Sequence, residues 1–119
     1  MIDHRQYPRF PVRFHSSFSS VNLVAGDGIV VDLSLRGCGI LSALDILPGT
    51  TLELRIYLSE SEEPLAIDQA VVRWCRDSRV GLEFLTLQPA EWAHLQHVVT
   101  ALGREPYERT SDEQDDAAT

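Results

Sequence analysis

The sequence predicts an all-β domain finished by one C-terminal α-helix: a six-stranded antiparallel (split) β-barrel. Three observations carry this. Five short stretches alternate apolar and polar residues with a period of two, and a sixth, from Cys38 to Leu44, is an apolar run of strand length. Gly, Pro, Asp and Ser punctuate the gaps between them. A single stretch near the end of the chain, opening at Pro89, repeats apolar residues at helical spacing instead.

Residues 1–9 have no apolar period, and Pro8 and Pro11 forbid a helix, so an extended, exposed lead-in is expected. Phe10, Val12, Phe14 and, in the same phase, Phe18 form the buried face of a first strand, with Arg9, Arg13 and His15 opposite. Ala25-Gly26-Asp27-Gly28 reads as a tight turn. In the second strand Ile29, Val31 and Leu33 share one face, which leaves Asp32 and Ser34 together on the other. Leu35-Arg36-Gly37 breaks the chain, and Cys38 to Leu44 resumes it as a third strand ended by Leu47-Pro48-Gly49. Leu52, Leu54, Ile56 and Leu58 against Glu53, Arg55 and Tyr57 give the cleanest alternation.

After a polar hairpin loop (59–64), Leu65 and Ile67 set one phase and Ala70, Val72 and Trp74 the other, so a β-bulge is expected near Asp68-Gln69. Asp77-Ser78 turns into a last strand carrying Val80, Leu82 and Phe84, with Gly81 and Glu83 opposite. The helix is expected at about 88–102, with Pro89 in its first turn, Gly103 as a stop, and Trp92, Leu95, Val98, Val99 and Leu102 on one apolar face. It should cover the open edge or mouth of the barrel. Residues 103–119 read as a polar, acidic, disordered tail behind a domain spanning 1–102.

At 119 residues and 44% apolar content the chain fits one domain. Two cysteines rule out a disulfide-stapled scaffold, no apolar run is long enough for a membrane span, and the N-terminus lacks a signal-peptide h-region. A cytoplasmic protein without membrane insertion is expected. Ten basic residues, all Arg, face 18 acidic ones for a net charge of −8, which argues against DNA or RNA as a partner. The charge is polarised, since residues 1–16 carry Arg5, Arg9 and Arg13 against Asp3 alone, whereas 103–119 hold half the net negative charge.

Two features do not look like core-building: Arg5-x-x-x-Arg9 in the lead-in, and Asp32-Leu33-Ser34-Leu35-Arg36-Gly37 at a strand end. Each has an ordinary explanation, solvated arginines in one case and a capped turn in the other. Together they share a chemical logic. Guanidiniums grip phosphate oxygens and match the O6/N7 edge of guanine. A carboxylate accepts from guanine N–H donors, a hydroxyl donates or accepts, and a glycine admits close approach. A guanine-bearing anion would use all of them.

In this order and spacing the two motifs resemble the RxxxR and [DN]xSxxG pair of PilZ domains. Val72-Arg73-Trp74-Cys75 and Val80-Gly81-Leu82-Glu83-Phe84 are similar to that family's closing strands, so the resemblance covers about residues 3–102. It implies a six-stranded barrel with a C-terminal helix that serves as a bacterial receptor for cyclic di-GMP, without cofactor or metal. On that resemblance Arg5 and Arg9 would grip phosphates and guanine edges, Asp32 and Ser34 would read a guanine, and Gly37 would keep the surface open, with Gly81 near the same face. His4, just before the first arginine, leaves one or two bound ligand molecules open. Only four residues precede Arg5 and no output domain follows the helix, so the expected mode is a stand-alone receptor. Ligand would order residues 1–9 and alter the surface offered to an effector protein in motility, polysaccharide or secretion control. The alternative is an adaptor of the same fold that ignores nucleotide.

Cys38 and Cys75 are expected to be inert strand thiols. His94 and His97 lack the further ligands a metal needs, and no nucleophile elbow, Cys/His pair or phosphate loop is present, so no enzyme is expected.

Overall fold

The computed structural model describes residues 7–21 and 25–117, with side chains through Arg104. The elements follow in chain order: β1 (Phe10–Ser19), β2 (Ala25–Leu33), β3 (Gly37–Leu41), β4 (Thr51–Tyr57), β5 (Leu65–Arg76), β6 (Arg79–Thr86) and α1 (Pro89–Ala117). Every pairing is antiparallel, and the order β1-β2-β3-β6-β5-β4 closes through a β1–β4 ladder. Closure removes the sheet edges, so the helix has no edge to cover and lies over a mouth.

The interior is filled by the alternating faces. Val30, Leu33, Ile40, Leu52, Leu54, Ile56, Leu65, Ile67, Val72, Val80, Leu82 and Phe84 are all essentially inaccessible. Each such side chain contributes about 1.5–3 kcal/mol relative to exposure. At one mouth α1 seats Leu95 and Val99 on this core. The Ala66 amide donates to Glu91 Oε1 at 3.0 Å and Gln88 Nε2 donates to Asp68 Oδ2 at 2.9 Å, which ties the helix start to the beginning of β5. The other mouth is plugged by the 42–50 connection. Ile46 is buried there, its amide donates to Cys75 Sγ at 3.5 Å, and the Gly49 amide donates to the Val72 carbonyl at 2.7 Å.

Several expectations need correction. Ala25-Gly26-Asp27-Gly28 is not a turn but the start of β2, with Gly26 opposite Phe18 and Gly28 opposite Ser16. The glycines there make room for close neighbours: a Cβ on Gly28 would run into the Leu41 carbonyl oxygen and meet Ile40 Cγ2 at 2.6 Å. In β2 the core residues are Val30 and Leu33, three apart, not the Ile29–Val31–Leu33 set. Val30 pairs with Ile40 and Asp32 with Gly39, so Val31 is one residue too many and the strand changes phase across it. The third strand ends at Leu41, and the chain then leaves the sheet to form the plug.

The bulge near Asp68-Gln69 is present: Leu52 pairs with Ala70 and Leu54 with Ile67. A second one was not anticipated. Val72 pairs with Leu82 and Trp74 with Gly81, leaving Arg73 as the extra residue. The hairpin that follows turns at Asp77 and Ser78, whose φ angles of 55° and 63° are the left-handed pair a two-residue β-hairpin turn requires. Finally, α1 runs through the expected stop at Gly103. Gly103 does not adopt the left-handed cap conformation, since Gly49 is the one positive-φ glycine among the described residues. Its bare Cα instead faces Phe10, whose Cζ would lie 3.4 Å from an added Cβ. A mid-helix glycine costs only about 1 kcal/mol, which packing can offset. The acidic side chains expected in the tail lie outside the described residues.

Candidate functional site on the outer face of the barrel

The register of β1 on β2 sets the first contact. Phe10 pairs with Leu33 and Pro11 with Asp32, so Arg9, the residue just before the strand, arrives beside Asp32. Its Nη1 donates to Asp32 Oδ1 at 2.5 Å. The two halves of the motif pair therefore meet through one residue each. Arg5 and His4 lie outside the described residues.

From Asp32 one row of paired residues runs across four strands: Asp32 of β2, Gly39 of β3, Gly81 of β6 and Trp74 of β5. The two middle members have no side chain. A Cβ on Gly39 would sit 2.7 Å from Asp32 Oδ2, and one on Gly81 would run into the Trp74 indole. Asp32 and Trp74 thus lean over a bare backbone floor from opposite sides. The β5 bulge makes this possible, because it turns both Arg73 and Trp74 outward. Trp74 remains 41% exposed, not in the core phase its spacing from Val72 suggests. Along the floor lies a cavity of about 340 Å³ lined by Tyr7, Arg9, Arg36, Arg73, Trp74, Gly81, Leu82 and Glu83.

Ser34 and Gly37 occupy a different part of the geometry. Ser34 is 3% exposed, and it follows β2, so it does not share a strand face with Asp32. Its Oγ accepts from the Arg36 and Gly37 amides, each at 3.1 Å, and the Ser34 amide donates to the Gly37 carbonyl at 2.9 Å. The hydroxyl builds the tight turn from β2 into β3 and, through it, aims Arg36 into the cavity. Gly37 lies so close to the Leu82 carbonyl that any Cβ would collide with it, so the glycine lets β3 close on β6.

Each aromatic ring of the cavity wall has a cation beside it. The Arg36 guanidinium lies 5.5 Å from the Tyr7 ring centroid, and that of Arg76 5.9 Å from Trp74. Beneath the floor, burial and, secondarily, the Asp32 carboxylate push the Cys38 thiol far up from its ordinary range, so it stays neutral. Neither Cys38 nor Cys75 is in a disulfide. On the helix, His94 Nε2 lies 3.9 Å from Glu62, and among the described residues no cluster of three or more potential metal ligands occurs.

Of the residues at this cavity and its floor, the sequence singles out Arg9, Asp32 and, as a neighbour of the same face, Gly81. It missed Tyr7, Arg36, Gly39, Arg73, Trp74 and Glu83. The one signal available was the bulge: a strand whose phase slips once can slip twice, and a second slip exposes Trp74.

A closed six-stranded antiparallel barrel with one helix over its mouth is a fold class that sequence families populate differently. The family model for the PilZ domain matches residues 3–101, and the chain belongs to that family. No curated protein matches the sequence significantly. Among solved structures the barrel is similar to Escherichia coli YcgR in complex with c-di-GMP (TM-score 0.76, 19% identity, 93% of this chain and 51% of that one). It is also similar to the K. pneumonia MrkH–c-di-GMP complex (0.76, 16%, 92% and 56%). The Bacillus subtilis inhibitor of motility MotI/DgrA is a third (0.68, 22%, 90% and 53%). At these identities the likeness speaks for the fold, and the chain spans about half the length of each of these proteins. No helix among the described residues is long and apolar enough to cross a membrane.

Proposed function

We propose that the protein is a receptor for cyclic di-GMP, binding it without cofactor on the outer face of β2, β3, β6 and β5. The observation that carries this reading is the Arg9–Asp32 contact beside a side-chain-free floor walled by Trp74. A guanidinium for phosphate, a carboxylate for guanine N–H groups and an indole face for a base are the three chemistries a guanine dinucleotide needs. Two of the three similar structures are named as complexes with c-di-GMP, which supports the same ligand.

Arg5 joins Arg9 as the second phosphate-gripping cation, and Gly37 and Ser34 serve the site by shaping the turn that carries Arg36. Binding engages both arginines and holds residues 1–9 against the barrel, where Tyr7 and Arg9 already meet Arg36 and Asp32. Charge-assisted hydrogen bonds of about 1.5–3 kcal/mol each are large enough to offset ordering a few residues at roughly 1–2 kcal/mol apiece. The altered surface is then read by an effector protein in the cytoplasm, and the functional unit is residues 1–102. Calorimetric titration with cyclic di-GMP, with GTP and linear pGpG as controls, tests the reading. Saturable binding by cyclic di-GMP alone supports it, and no binding refutes it. Pull-downs with and without the dinucleotide test the second half: a partner set indifferent to ligand would mark an adaptor instead.

A further inference from the structure

Arg36 and Arg73 approach the cavity from different elements, the β2–β3 turn and the β5 bulge, and converge on Glu83 of β6. The carboxylate divides between them. Arg73 donates to Oε1 from Nε at 2.7 Å and from Nη2 at 2.6 Å, while Arg36 Nη2 faces Oε2 at 3.5 Å. Arg9 is engaged separately by Asp32. The three lining cations thus form two groups, each against its own carboxylate. Two guanidiniums flanking a single oxyanion is also the arrangement that grips a phosphodiester. The carboxylate is well placed to be exchanged: Glu83 is 31% exposed, and Arg36 and Arg73 are 52% and 58% exposed. Ion pairs this open to water hold weakly.

We propose that Arg36 and Arg73 form a second phosphate subsite, separate from the Arg5–Arg9 pair, and that Glu83 is its resident counter-anion and sets the ligand affinity. This rests on the cyclic dinucleotide reading above. A phosphodiester entering the subsite takes both guanidiniums from Glu83, whose carboxylate turns out to water. The phosphodiester is either the second one of a single cyclic dinucleotide or belongs to a second stacked molecule. The subsite chemistry is the same in both cases, and the stoichiometry tells them apart.

The experiment is calorimetric titration of the full chain with cyclic di-GMP at fixed salt. Glu83→Gln keeps the length of the side chain and one acceptor oxygen while removing its charge. It should tighten binding about fivefold, and Arg73→Gln should weaken it roughly tenfold. In an Arg36→Gln/Arg73→Gln background, Glu83→Gln should change affinity by less than about twofold, because the groups it masks are gone. A fitted stoichiometry of one or two assigns the phosphate to the first or a second ligand molecule. If wild type binds but Glu83→Gln does not tighten, or tightens equally in the doubly substituted background, the subsite is overturned and the receptor reading survives. If wild type does not bind at all, the receptor reading fails and the subsite falls with it.

Discussion

Strands β4 and β5 are neighbours in the same sheet, yet they obey different rules. Across Thr51–Tyr57 the side chains alternate without a break: Leu52, Leu54 and Ile56 are buried and Glu53, Arg55 and Tyr57 are exposed. Strand β5 breaks step twice, at Asp68-Gln69 and at Arg73. The regular strand contributes nothing to the cavity, whereas the irregular one supplies Arg73 and Trp74. Strand β2 repeats the lesson, since its extra residue, Val31, immediately precedes Asp32. A bulge keeps the core filled while re-aiming one or two side chains outward. In this barrel alternation makes stability, and its interruptions make the site.

The contrast is most easily broken from the β4 side. Leu54→Ala or Ile56→Ala should cost about 2–5 kcal/mol by urea denaturation, the usual range for a buried aliphatic. Arg9→Ala should do the reverse, lowering cyclic di-GMP affinity about 30- to 100-fold with a stability change under about 1 kcal/mol. Trp74→Ala should weaken binding about tenfold through the loss of base stacking, and in wild type the ligand should quench indole fluorescence.

Cys38 gives a smaller effect of defined sign. Its folded thiol titrates above the ordinary 9.0, so the unfolded chain loses that proton first. Stability should therefore hold below pH 9.0 and fall above it by about 1.4 kcal/mol per pH unit. Denaturation at several alkaline pH values should show this slope in wild type and a shallower one in Cys38→Ala. At the bottom of the scale, Glu53→Gln on β4 removes an exposed pair 4.0 Å from Arg55 and should change stability by less than about 0.5 kcal/mol.

The fold was legible in the sequence because alternation is a long-range pattern that survives local error. The strands were found even where the faces were misassigned, as in β2, where Ile29, Val30 and Val31 are all apolar and hide the change of phase. At Asp68-Gln69 two polar residues interrupt an apolar set, so that bulge was visible. At Arg73 nothing interrupts, because an arginine between Val72 and Trp74 fits unbroken alternation equally well. The meeting of Arg9 and Asp32 was legible because a motif fixed their spacing. Arg36, Arg73 and Glu83 are commonplace on exposed strands and turns, and only the pairing of β3, β5 and β6 brings them together. Gly103 misled for a related reason: a glycine that ends a helix and one carried inside it are the same letter.

The floor between Asp32 and Trp74 is made of missing atoms. Gly39 and Gly81 define it by what they lack, since a single added carbon would run into the carboxylate at one and the indole at the other. On the receptor reading proposed above, one methyl group placed on that floor would be enough to close it to a base.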